Sequence, residues 1–142
     1  MKIVRLWHKD LLPVLPRLQL VSQYRECCCI AKSIAENGTP NHILVNRIMD
    51  YPLNHFAIYT AQVIAVMKQR GYKVNTARFW GWMGATDWIP ASRDGRELFA
   101  DWHNDRYLRQ CLLNLQEKFD CGGIPADEWQ RICERFEDYM EE

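Results

Sequence analysis

PRLQLVSQYRECCCIAKSIAENG, residues 16–38, repeats its apolar side chains at helical steps and closes on a glycine. Leu20, Tyr24, Cys27, Ala31 and Ile34 follow one another at intervals of four and three, which stacks them on one face of a helix. Pro16 supplies the first turn and Gly38 the stop, so the stretch reads as a helix over Pro16 to Asn37 with that stripe in the core. Ser22, Glu26 and Ser33 lie nearly opposite Tyr24 on the helical wheel, with Arg25 and Lys32 on one flank and Gln19 and Gln23 on the other. That face is polar and is expected to meet solvent.

The same periodicity recurs on both sides of a few connectors. Phe56, Tyr59, Val63, Val66 and Met67 mark a second helix from about Leu53 to Arg70, ended by Gly71. Leu108, Cys111, Leu112, Leu115 and Phe119 mark a third from about Asn104 to Phe119, ended by Gly122-Gly123. Trp129, Ile132, Cys133 and Phe136 mark an acidic C-terminal helix over about residues 126–140. Between them, residues 39–52 carry turn chemistry and a short helix through Ile43 to Met49. Residues 72–102 are rich in Gly and aromatics, with Trp80, Trp82, Trp88 and Trp102 interleaved with Arg78, Arg93 and Arg96, and show no period. The single strand candidate is Ile3 to Trp7. The expected fold is mainly α, one compact helical bundle over residues 1–142 with an irregular Trp- and Gly-rich connector.

At 142 residues, 48% hydrophobic and 25% charged, the chain has the composition of one globular core and not of a disordered or fibrous segment. Its apolar runs fall short of the ~18 residues a membrane span needs, and Lys2, Arg5, His8, Lys9 and Asp10 interrupt the start, so a cytoplasmic location is expected. Cys27, Cys28 and Cys29 are adjacent, and no CxxC or HxxxH pair accompanies Cys111, Cys121 and Cys133. Reduced thiols, no metal site and no cofactor are expected. The formal net charge of zero conceals a split: residues 1–80 hold eleven Lys and Arg against four Asp and Glu, and residues 81–142 hold seven against fourteen. Either a basic face meets a polyanion such as DNA, or the two parts attract each other, within the fold or head to tail between copies.

Four segments then occur in a telling order: Tyr24-Arg25-Glu26 with its helical tail to Asn37-Gly38, NHFAIY at Asn54 to Tyr59, KQRGYKV at Lys68 to Val74, and a late helix opening at His103 and containing Glu117-Lys118. In this order and spacing, over residues 4 to 120 with gaps, the chain resembles the pyrimidine-dimer DNA glycosylases of the endonuclease V type. The resemblance implies a compact helical protein that binds duplex DNA, kinks it at the damaged site and displaces the base opposite the lesion. It also implies attack of an N-terminal α-amine on C1′, a Schiff base, a helix-borne glutamate that stabilises the sugar cation, and strand cleavage by β-elimination. An α-amine, with a pKa of ~7.7 to 8, keeps a useful neutral fraction where a lysine near 10.4 does not.

Carried over by position, Glu26 is the glutamate and Met1 the amine. Arg5, Arg25, Lys32 and Lys118 are then the DNA-binding cations. Lys2 or Lys32, as a substitute amine that requires a strongly depressed pKa, and His55, near the positive start of the second helix, are further candidates. Three positions depart from the family pattern. Met1-Lys2 stands where the family exposes a threonine, Gln19 where it has a histidine, and Cys29 where it has a DNA-contacting arginine. The alternatives are a nucleic-acid-binding relative whose chemistry has been lost or changed, and a charge-complementary interaction module.

Overall fold

The computed structural model describes residues 5–86, 88 and 97–140. Among these residues the chain forms five α-helices and no strand: α1 Arg17–Asn37, α2 Leu53–Gln69, α3 Thr76–Met83, α4 Asp105–Asp120 and α5 Ala126–Arg135. Short 3-10 turns cover Lys9–Val14, Asn46–Asp50 and Glu137–Tyr139. α1 packs on α2 and α3, α4 packs on α5, and the Lys9–Val14 turn sits against α2 and α5. The mainly helical reading of the sequence therefore holds. No described helix is long and apolar enough to cross a membrane.

α1 buries Leu20, Tyr24, Cys27, Ala31 and Ile34, the stripe its spacing predicts, and ends where Gly38 enters the left-handed region at φ 78° and donates its N–H to Ile34 O over 2.8 Å. Nothing lies within 4 Å of the position a Cβ would take there, so an alanine meets only the backbone penalty. Gly38→Ala should cost about 1 kcal/mol. Urea unfolding checks this as a lower midpoint at an unchanged slope. Pro16 offers no side chain to cap α1, and Glu128 of α5 fills that role: its Oε2 accepts from Arg17 N over 2.6 Å. Part of the acidic C-terminal region is thus used to close the basic helix, a favourable place for a negative charge.

Three expectations are corrected. The stretch without a period contains α3, which buries Phe79 and Met83 at a step of four. Its eight residues make little more than two turns, too few to stand out among flanking tryptophans. The Tyr24 hydroxyl donates to Asn75 O and ties α1 to the start of α3. The C-terminal helix stops at Arg135, short of the expected residue 140. Phe136 is buried and leaves helical geometry, and Tyr139 turns back to donate to Asp105 Oδ1 over 3.0 Å. The strand candidate forms no ladder in its described part, Arg5 to Trp7, for a reason given below. Arg93 and Arg96 of the connector lie outside the described residues.

His55 is a packed core residue. It is buried, accepts the Phe99 N–H on Nδ1 over 3.1 Å, and lies 5.0 Å from the Tyr51 ring. That bond holds Phe99, whose φ is 49°, at the centre of an aromatic cluster with Tyr59, Trp102 and His103. Burial drives the His103 pKa down to about 2, so its Nδ1 is an unprotonated acceptor for Lys9 N at 3.0 Å.

Candidate active-site cleft

The segment from Arg5 to Trp7 runs extended across three helices. Its three successive carbonyls accept from a different helix each: Arg5 O from Gln23 Nε2 of α1 at 2.9 Å, Leu6 O from the Tyr107 hydroxyl of α4 at 2.6 Å, and Trp7 O from the Tyr59 hydroxyl of α2 at 2.6 Å. Trp7 N donates to Gln23 Oε1 over 2.7 Å. Side chains thus supply the partners that a neighbouring strand would have given, which is why an extended sequence here joins no sheet. Both tyrosines are kept protonated as donors because burial raises their pKa well above the usual value.

Gln23 is the joint of this arrangement. It is completely buried, its Oε1 also lies 2.9 Å from the Tyr59 hydroxyl, and its Nε2 reaches Glu26 Oε2 at 3.4 Å. One amide therefore connects the N-terminal segment, α2 and the carboxylate one turn further along α1.

Beside this joint lies a cleft of about 280 Å³, lined by Arg5, Trp7, Leu18, Gln19, Ser22, Glu26, Asn114 and Lys118. The polar face of α1 forms one wall and α4 the other. Of the residues the sequence singled out, the fold brings Arg5, Glu26 and Lys118 together here. The Arg5 guanidinium lies 5.3 Å from the Trp7 ring centre and also faces the buried Cys111 thiol. Burial pushes that thiol above its ordinary pKa, with the His8 backbone and Arg5 acting against it. Gln19 Oε1 is buried and has no hydrogen-bond partner among the described residues, an open acceptor in the cleft wall.

Arg25 is exposed and does not line this cleft. Lys32 points elsewhere, 3.9 Å from Glu36 Oε1 and 5.7 Å from the Trp82 ring centre. Met1 and Lys2 lie outside the described residues. Cys29 is exposed, Cys27 and Cys28 are buried, and no group of three described His, Cys, Asp or Glu side chains is placed to hold a metal ion.

Gln23, Tyr59, Tyr107 and Asn114 also belong to this arrangement, and no motif in the sequence marks them. Gln23 was legible only as the flank of a polar face, and no local pattern separates a glutamine that bridges three segments from one in water.

Chemically, the cleft offers a carboxylate, two cations and amide groups in one concavity, a set suited to an anionic ligand that develops positive charge at a carbon. A family model described as pyrimidine dimer DNA glycosylase matches residues 4–79, which include Arg5, Gln19, Gln23 and Glu26 and stop short of Asn114 and Lys118. Neither the curated proteins nor the solved structures include a match to the chain. The matched segment spans more than half of the sequence and supplies the N-terminal strip and α1, which build one wall of the cleft, and on this ground the chain belongs to the pyrimidine dimer DNA glycosylase family.

Proposed function

We propose that the protein is a DNA glycosylase and abasic-site lyase acting on damaged or modified pyrimidines in duplex DNA. The observation that carries this reading is the convergence of Arg5, Glu26 and Lys118 from three separate elements on one cleft. An amine of the segment before Arg5, Met1 or Lys2, attacks C1′. The C1′–N bond to the base breaks, and the base leaves with the electron pair and takes up a proton. The C1′–O4′ bond then opens as the nitrogen lone pair forms the C1′=N bond, O4′ keeping the electron pair of the broken bond and taking up a proton from water, which yields the protonated iminium. The Glu26 carboxylate stabilises the positive sugar and next removes a C2′ proton, so that the C3′–O bond breaks and the phosphate leaves. Four residues of chain reach at most roughly 14 Å, so an amine at residue 1 has the length to return toward the cleft in which Arg5 is fixed. Arg5 and Lys118 hold the flanking phosphates.

Borohydride reduction on duplex DNA with an abasic site tests the reading: a covalent protein–DNA adduct is expected, and peptide mass spectrometry names the amine. Affinity should fall steeply between 50 and 200 mM salt, and Lys118→Ala should reduce the log–log salt slope by about one. Affinity that ignores salt removes DNA as the ligand. The open acceptor of Gln19, where the family carries a histidine, favours a second reading in which DNA is bound but the chemistry has changed. Tight, salt-dependent binding without an adduct is its signature.

A further inference from the structure

A second concavity of about 330 Å³, lined by Arg5, Leu44, Tyr107, Gln110 and Asn114, adjoins the first and shares Arg5 and Asn114 with it. The groove that begins at Glu26 therefore continues along α4 to the turn between α1 and α2. On that turn stand two aliphatic side chains turned to water: Ile43 is 84% exposed and Leu44 41% exposed. The backbone beneath them is well fastened. Asn46 Oδ1 accepts from His42 N at 2.9 Å, His42 O accepts from Val45 N at 3.0 Å and from Asn46 N at 2.9 Å, and Val45 is fully buried. Neighbouring residues thus anchor the turn while Ile43 and Leu44 stay outside the core, at the far end of a groove that carries Arg5 in its middle.

Resting on the reading of the cleft as a DNA site, we propose that Ile43 and Leu44 form an apolar wedge that enters the base stack of the duplex and opens it. Aliphatic side chains inserted at a base step unstack it and kink the helix. An unstacked step lowers the cost of taking a nucleotide out of the duplex. With the wedge at one end of the groove and Glu26 at the other, the deformed step and the reacting sugar lie on one track, with the Arg5 guanidinium between them. The occupant of this patch is thus duplex DNA and not a second copy of the chain. The charge of the groove carries that choice: Arg5 lines both concavities and Lys118 the first, whereas Arg47 on the next turn is exposed but lies with its Nε 3.9 Å from Asp50 Oδ2.

The test uses the full chain and a duplex holding an uncleavable abasic analogue beside a 2-aminopurine. Wild-type protein should raise the 2-aminopurine emission several-fold as the base unstacks. Ile43→Ser/Leu44→Ser, a change at exposed positions, should bind with the same salt slope yet abolish that rise. Adduct formation on single-stranded abasic DNA, which has no stack to open, should be unchanged in the double variant. Equal emission from variant and wild type, or wild-type binding with no rise, overturns the wedge. So does a salt-dependent change in light-scattering mass that the double variant removes while its DNA response stays intact. Unstacking without any borohydride adduct supports the wedge and defeats the proposed lyase chemistry, whereas an adduct with no wedge effect does the reverse.

Discussion

Glu26→Gln is expected to lower incision of abasic duplex DNA by about 10²- to 10⁴-fold, the range for removing one positioned acid–base group. The substitution keeps the length of the side chain and its place on the polar face of α1, opposite the buried stripe, so the fold should persist. In the proposed mechanism it takes away the negative charge that would face a cationic sugar and the acceptor for the C2′ proton. DNA affinity should not fall, because one carboxylate fewer lines a cleft that also holds Arg5 and Lys118. Single-turnover kinetics on an abasic duplex, beside titrations with an uncleavable analogue, separates the two effects. Activity within a factor of ten of wild type would take Glu26 out of the chemistry and leave the second reading standing.

Gln23→Leu is expected to cost roughly 2 to 5 kcal/mol, because it leaves the Trp7 N–H and the Arg5 carbonyl without partners at a completely buried position. For a chain of this size that is a large share of total stability. Denaturant unfolding measures it. Gln23→Glu asks a finer question. It keeps an acceptor for Trp7 N but puts a second carboxyl at the place now 3.4 Å from Glu26 Oε2. Burial and the like charge both raise its folded-state pKa. The folded state then holds a proton that the unfolded chain has already lost above a pKa of ~4.3. Stability should therefore decline as pH rises from there through the raised value, the reverse of an ion-paired carboxylate. The pH–rate profile should shift upward with it, since Glu26 shares the site. A variant as stable at pH 8 as at pH 5 would show that the amide does not couple the two groups.

The contrast between Glu26 and Gln23 shows how far the chain could be read in advance. Glu26 stands in Tyr24-Arg25-Glu26 at a place the family resemblance marks, and the helical period puts it on a polar face that the sequence assigns to water. The face borders a cleft because α4, some ninety residues later, lies across it and brings Asn114 and Lys118. Nothing in the local pattern of α1 announces that neighbour. Gln23, one turn earlier, looked like any flanking amide, and its three partners come from the N-terminal strip, α2 and its own helix. His55 shows the opposite: its position near a helix start admits both a packed core histidine and a chemical role, and the fold uses it to hold Phe99. Arg25 and Lys32 shared their helix with Glu26 but point away from the cleft, since 100° per residue carries neighbours in sequence to different faces.

The helices α1, α2 and α4 and their buried stripes are written in the chain segment by segment, because periodicity and terminal glycines are local signals. The chain also holds the order of segments that marks the family. Which polar residues share a cleft, which strip is pinned without a sheet, and where Ile43 and Leu44 stand relative to Glu26 follow only from how the helices pack. Those relations depend on hydrogen bonds and packing between residues far apart in the chain, whose partners no local pattern names.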